Sequence, residues 1–274
     1  KAKARFVKYM KVIMLTIKTF SGEKIGFQAV ALSFFSTMSV VPFVAIIFAV
    51  TGGLGLADKL KELLYSYFNN SQETIDIILG FAQNIINTAE SSAMGLVSAL
   101  LFGWLVIWLM LSVERVFNNV WKVTKSRNLF RRLSIIISMI LISPFVVIVF
   151  FAGSVVYSHA LEYLGLNLEE LTIFKTILTW VIFAALASLT FSAMYKFIPN
   201  SPVQYWHALK AAVPAGIAFT LVQYMYLETQ VFVTRLNTIY GAFAAVPLFM
   251  LWLNIGWFIV LFGAELSYAF QNVD

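Results

Sequence analysis

The sequence predicts an all-α integral membrane bundle of six transmembrane helices, and three observations carry that prediction. Six apolar stretches are each long enough to cross a bilayer, which takes roughly 20 residues of helix. Charged residues make up only 12% of the 274 and hydrophobic ones 61%, against roughly 25% charged in a soluble domain. The basic residues also gather in the segments on one side of the apolar stretches, the asymmetry that orients membrane proteins.

The expected crossings are 27–50, 93–113, 133–157, 173–197, 209–227 and 240–268. Lys1, Lys3, Arg5, Lys8, Lys11, Lys18 and Lys24 precede the first; Arg115, Lys122, Lys125, Arg127, Arg131 and Arg132 follow the second; Lys196 and Lys210 follow the fourth. Together they hold fifteen of the 19 lysines and arginines. Cytoplasmic segments carry that excess, so both termini are expected in the cytoplasm. The other side holds Lys59, Lys61, Lys175 and Arg235 with most of the acids, among them Asp58, Glu62, Glu73, Asp76, Glu90, Glu169 and Glu170. This distribution reads the net charge of +6 as a membrane signal and not as a nucleic-acid-binding surface.

Residues 1–25 are expected to form a cytoplasmic amphipathic helix. Phe6, Met10, Ile13, Ile17 and Phe20 recur at spacings of three and four, and Lys8, Lys11 and Lys18 lie mostly elsewhere on the wheel. Such a helix rests in the interface, apolar face down, with its lysines at anionic headgroups. The apolar run Val12–Ile17 is short and broken by lysines, unlike a cleaved signal peptide, so the first crossing is the expected insertion signal. Residues 26–274 form the membrane domain.

The first crossing carries Ser33, Ser36, Thr37 and Ser39, then Pro42. Ser33, Ser36 and Thr37 share one helix face, which should turn toward protein or a cavity and away from lipid. After Thr51-Gly52-Gly53-Leu54-Gly55 comes an outer insertion at 51–92, where two amphipathic helices fit. One stripe is Leu60, Leu63, Leu64, Tyr67 and Phe68; the other is Ile75, Ile78, Leu79, Ala82, Ile85 and Ile86. Asn70 followed by Glu73 has the spacing of a helix start between them. The pair is expected either to cap the bundle or to lie on the outer leaflet.

Pro42, Pro144, Pro214 and Pro247 stand inside four crossings. Each removes a backbone donor and is expected to kink its helix, a feature common in transporters and also present in passive membrane folds. The stretch Lys196-Phe197-Ile198-Pro199-Asn200-Ser201-Pro202 is a turn by its chemistry.

The chain has no cysteine and only two histidines, His159 and His207. That excludes disulfides and thiolate metal sites. Metal-dependent phosphodiester hydrolysis needs clustered carboxylates or histidines. The only aspartates are Asp58, Asp76 and Asp274, and neither a His-x-His-x-Asp nor a His-Glu-x-x-His cluster exists. There is no Gly-x-x-x-x-Gly-Lys-Ser/Thr loop either. No catalytic residue, metal site or cofactor is expected.

Ionisable groups at the crossings are the remaining pointers, because they are costly in lipid and turn toward the bundle interior or a watery cavity. Glu265 lies near the cytoplasmic end of the last crossing, with Arg115 and Lys196 as expected partners. Glu228 and Arg235 flank the connection between the last two crossings and are positioned to pair with each other or to bind a headgroup. Each of these groups serves either as a structural ion pair or as part of a substrate pathway. Gln223 and Asn254 complete the set of polar groups inside the crossings.

Three stretches together resemble the YihY/BrkB family of bacterial inner-membrane proteins. They are Ala29 to Pro42, the turn Lys196 to Asn200, and the last crossing from Tyr240-Gly241 through Leu251-Trp252 to Gly263-Ala264-Glu265. The segment holding Glu114-Arg115 and Asn118-Asn119 matches only loosely. The resemblance implies a six-helix fold in the inner membrane. It also brings an old label of tRNA-processing ribonuclease, which the residues above do not support, and links of some members to virulence and to envelope lipid phenotypes. The leading expectation is transport or handling of an envelope lipid or other amphiphile. The alternatives are a scaffold or regulator that binds envelope proteins, and an ion or small-solute channel. A transporter predicts a polar cavity touching Ser33, Ser36, Gln223, Asn254 or Glu265; a scaffold predicts those groups locked in dry helix contacts. Membrane lipids, including anionic headgroups at the cytoplasmic face, are the expected partners, with no nucleic acid; the oligomeric state is not readable.

Overall fold

The computed structural model describes residues 2–22, 24–67, 72–91, 93–124, 127–128, 130–138, 140–142, 145, 172–235 and 241–273. Among them every regular element is helical. The named helices are α1 (Ala2–Gly22), α2 (Ile25–Gly53), α3 (Ala57–Tyr67), α4 (Gln72–Ser91), α5 (Ala93–Val120), α6 (Thr172–Phe197), α7 (Tyr205–Arg235) and α8 (Gly241–Asn272). Further helical residues fall at 130–138 and 140–142.

Among the described residues five helices are long and apolar enough to cross a membrane: Ile25–Gly53, Gly95–Val120, Ile177–Phe197, Tyr205–Thr229 and Pro247–Asn272. They answer the first, second, fourth, fifth and sixth expected crossings. The third, 133–157, falls mostly outside the described residues, and so does Pro144. Helices α2, α7 and α8 run on through Pro42, Pro214 and Pro247 without a break. A proline deletes one N–H within a ladder of many, and packing on neighbouring helices retains the rest.

The chain divides into two compact units: one of Lys1–Thr37, Ser112–Ser126 and Trp180–Asp274, the other of Met38–Leu111 and Arg127–Thr179. In the first, α7 pairs with α8 and α1 packs on α8. Aromatic rings stitch α6, α7 and α8: Phe219 of α7 lies 6.4 Å from Phe183, 5.4 Å from Phe191 and 6.2 Å from Trp252, centroid to centroid. Small residues let the backbones close up. A Cβ on Gly216 would lie 2.2 Å from Ser188 Oγ and 2.8 Å from its backbone nitrogen, the close approach that small residues allow between membrane helices.

In the second unit, Leu60 of α3 is buried against Ile47 and Phe48 of α2, with Leu64, Leu79 and Ile86 packed around them. The two apolar stripes of the insertion thus close onto the end of α2. Helix α2 ends where Thr51 Oγ1 bonds back to the Ile47 carbonyl at 2.8 Å and Gly55 turns the chain at φ 70°, a left-handed conformation that glycine adopts at no steric cost. Asn70, expected near the start of α4, lies outside the described residues; α4 begins at Gln72.

Candidate functional site

In the first unit a buried polar seam runs along α8. Glu265 is wholly buried. Its Oε2 accepts a hydrogen bond from Thr19 Oγ1 of α1 at 2.9 Å. The same hydroxyl lies 2.8 Å from the Leu15 carbonyl and 3.2 Å from that of Thr16, so its single proton has three acceptors within reach. Phe20, next along α1, packs its ring edge-on against Phe258 at 4.7 Å and Phe262 at 5.5 Å.

This corrects two expectations. Glu265 was expected to face Arg115 or Lys196. Instead Arg115 is exposed on α5, and the Lys196 ammonium donates to the Val203 carbonyl across the turn. Phe20 belongs to the α8-facing side of α1, and not to the exposed stripe of Phe6, Met10, Ile13 and Ile17. The docking face is Val12, Thr16, Thr19 and Phe20, with Val12 and Thr16 fully buried. Their spacing of four, three and one was legible as a second stripe, but two threonines within it hid its packing role.

Of the polar stripe of the first crossing, Ser36 reaches another helix, and Ser33 and Thr37 bond back within α2. Ser36 Oγ accepts the Trp257 indole N–H at 2.9 Å. Ser33 Oγ donates to the Val30 carbonyl at 2.8 Å, and Thr37 Oγ1 to that of Ser33 at 2.8 Å. Gln223 and Asn254 are half-buried, and Glu228 is exposed. Arg235 ends α7; its side chain is outside the described residues, so the proposed Glu228–Arg235 pair is too.

Two contacts went unread in the sequence. Asn118 Oδ1, at a buried position on α5, accepts the Asn200 backbone N–H at 2.8 Å, which ties α5 to the turn after α6. Trp121 packs edge-on against Tyr268 at 5.5 Å, and the Lys122 ammonium stands 5.3 Å from the same ring.

Among the described residues, two recesses have the size and lining to take a ligand. One, of about 330 Å³ in the second unit, is walled by Met38, Val41 and Pro42 of α2, Phe81 and Ile85 of α4, and Phe102 of α5, with Asn84, Thr88 and Ser98 as its polar groups. Pro42 has no N–H, so the Met38 carbonyl beside the recess loses its i+4 donor. The other, of about 350 Å³ in the first unit, is lined by Lys8, Tyr9, His207, Lys210 and Phe270. Neither is lined by Ser33, Ser36, Gln223, Asn254 or Glu265. Among the described residues no three His, Asp or Glu side chains gather as a metal site.

Several long apolar helices in one chain, exposed aromatic surfaces and buried polar groups define a multi-pass helical membrane protein. The chain belongs to the Virulence factor BrkB family, whose pattern matches residues 16–274. It is 26% identical to a UPF0761 membrane protein of Haemophilus influenzae over 95% of each chain. It is 28% identical to one of Alteromonas mediterranea, over 93% of this chain and 87% of that one. A third, from Acinetobacter baylyi, is 29% identical over 95% of this chain but only 62% of its own length. No solved structure matches.

Proposed function

We propose that this protein handles an amphiphile, an envelope lipid or lipid-linked molecule, in the bacterial inner membrane. It acts there as a non-catalytic six-span bundle with both termini in the cytoplasm. The observation that carries the reading is the recess between α2, α4 and α5. Its walls are apolar, and Asn84, Thr88 and Ser98 supply a few polar groups. That is the composition of sites that fix a mostly apolar ligand by a few hydrogen bonds. The one-sided distribution of lysine and arginine supports the orientation.

A second reading, a scaffold for envelope proteins, is favoured by the burial of Ser33, Ser36 and Glu265 in helix contacts. Lipid retention separates the two. The protein is extracted with its surrounding membrane patch and the retained lipids are identified by mass spectrometry. The wild type should hold a defined species above the bulk composition. Ala99→Phe fills the recess and should lose that species; Leu100→Phe, on the exposed side of the same helix, should keep it. Identical, bulk-like lipids in all three proteins would overturn lipid handling and leave the scaffold.

A further inference from the structure

The recess in the first unit has a different chemistry. Lys8 and Tyr9 come from α1, His207 and Lys210 from the first turns of α7, and Phe270 from the last turn of α8. Two ammonium groups and an imidazole line a space of about 350 Å³, and no carboxylate is among the lining residues. The walls are held in place by packing. Tyr9 meets Phe270 edge-on at 6.1 Å, and the Lys210 ammonium stands 5.3 Å from the Trp206 ring. Between them lies a small cationic recess, to which the exposed side chains of Lys8 and Lys210 both contribute.

What adjoins it is apolar. From Tyr9 the same face of α1 continues at i−3 and at i+4 and i+8 as Phe6, Ile13 and Ile17, which are 67%, 47% and 55% exposed. Trp206, beside Lys210, is 62% exposed. A ligand held by its anionic end at Lys8 and Lys210 therefore has a hydrocarbon-compatible track leading away along α1.

We propose that this recess is a binding site for the phosphate group of an anionic phospholipid. Lys8 and Lys210 pair with the phosphate, His207 donates to it, and the acyl chains lie along Phe6, Ile13 and Ile17. The site shares no lining residue with the α2–α4–α5 recess, so either can fail without the other.

The test measures binding to the full-length chain in uncharged detergent. The probes are dioctanoyl phosphatidylglycerol, dioctanoyl phosphatidylcholine, glycerol phosphate and inorganic phosphate. The wild type should prefer phosphatidylglycerol to phosphatidylcholine and bind the two chain-free phosphates much more weakly. Lys8→Gln with Lys210→Gln should weaken phosphatidylglycerol by about tenfold or more, as expected for two lysines near an anionic headgroup. Lys11→Gln with Lys18→Gln removes the same charge from exposed positions of α1 outside the recess and should change binding less than about twofold. Lys8→Arg with Lys210→Arg should retain binding, which separates loss of charge from loss of fold. Equal loss in both glutamine pairs would reduce the recess to a diffuse basic surface and overturn the proposal. Equal affinity for inorganic phosphate and phosphatidylglycerol would assign the recess to a soluble phosphate and overturn the lipid assignment.

Discussion

Thr19 and Glu265, 246 positions apart, meet at 2.9 Å through a hydroxyl and a buried carboxyl oxygen. The bond joins the amphipathic first helix to the last membrane helix. Thr19→Val keeps the shape of the side chain and removes the donor, leaving Oε2 buried without that hydroxyl. Interhelical hydrogen bonds in membranes contribute about 1 kcal/mol, and more where the acceptor is charged. A loss of about 1–2 kcal/mol is expected, read as a lower melting temperature in detergent and faster proteolysis within α1. Thr19→Ser should behave as wild type. A Thr19→Val protein that melts and resists proteolysis like wild type would remove this contact from the list of those that dock α1.

Gly263 and Tyr195 form a second close pair. A Cβ at position 263 would sit 2.1 Å from the Tyr195 hydroxyl oxygen and 2.9 Å from the Ala215 Cβ. Gly263→Ala should therefore destabilise by about 1–3 kcal/mol through overpacking. Tyr195 is fully buried, and its hydroxyl finds no hydrogen-bond partner among the described residues. Removing such a group relieves a desolvation penalty, so Tyr195→Phe should be neutral or stabilising. The double variant should recover much of what Gly263→Ala loses. Strict additivity in this cycle would show that the hydroxyl is not what the methyl group meets.

Asn118 supplies the acceptor for the Asn200 N–H at 2.8 Å, and so pins the turn that leads into α7. Asn118→Ala should speed hydrogen exchange at Asn200 and lower stability by about 1 kcal/mol. Asn118→Asp, which retains an acceptor oxygen, should leave exchange slow. Unchanged exchange in the alanine variant would mean that another group holds the turn.

These contacts explain which parts of the molecule were legible. The crossings around Ala29, Trp104, Ala187, Ala212 and Val260 were readable because length and hydrophobicity alone decide them. Burial of Glu265 was readable too, since a carboxyl within an apolar run must turn inward. Its partner was not. Charge complementarity pointed to Arg115 or Lys196, whereas the structure uses the Thr19 hydroxyl, whose role depends on how α1 lies on α8. The stripes around Leu60 and Leu79 gave the insertion its helices, but the recess beside Phe81 depends on how closely α4 approaches α5, and no periodicity encodes that distance.

Tyr65 of α3 donates its phenolic hydrogen to Asp76 Oδ1 of α4. This bond, then desolvation and the nearby carboxylate charge, raise the Tyr65 pKa above its ordinary value of 10.0. A group whose pKa is raised in the folded state contributes stability that is present below its unfolded pKa. That contribution is lost as pH rises through the folded value. The α3–α4 tie should accordingly hold through neutral and mildly alkaline pH and fail above the ordinary tyrosine range. In a Tyr195→Phe background, which removes the fully buried tyrosine, ultraviolet titration of tyrosinate should find a group ionising late. In the Asp76→Asn variant that group should shift toward the ordinary range. A titration that Asp76→Asn leaves unchanged would sink the assignment.

Among the described glycines of the second unit, Gly95 is the one where α4 and α5 come close. A Cβ there would lie 1.8 Å from the Thr88 carbonyl oxygen and 2.5 Å from its carbon. Both are backbone atoms, so no rotamer change can make room and α4 itself must move. Gly103, on the same helix, has open space where its Cβ would stand. On helix propensity alone, alanine is better than glycine by about 0.5–1 kcal/mol. The two substitutions should therefore go in opposite directions: Gly103→Ala neutral or slightly stabilising, Gly95→Ala destabilising by about 1–3 kcal/mol. Thr88 and Gly95 both line the recess, so displacing α4 also reshapes the space proposed for the amphiphile. Gly95→Ala should consequently lose the lipid that wild type retains, while Gly103→Ala keeps it. Equal melting temperatures and equal lipid retention in the two variants would separate the α4–α5 contact from the recess and remove the structural basis for placing a ligand there.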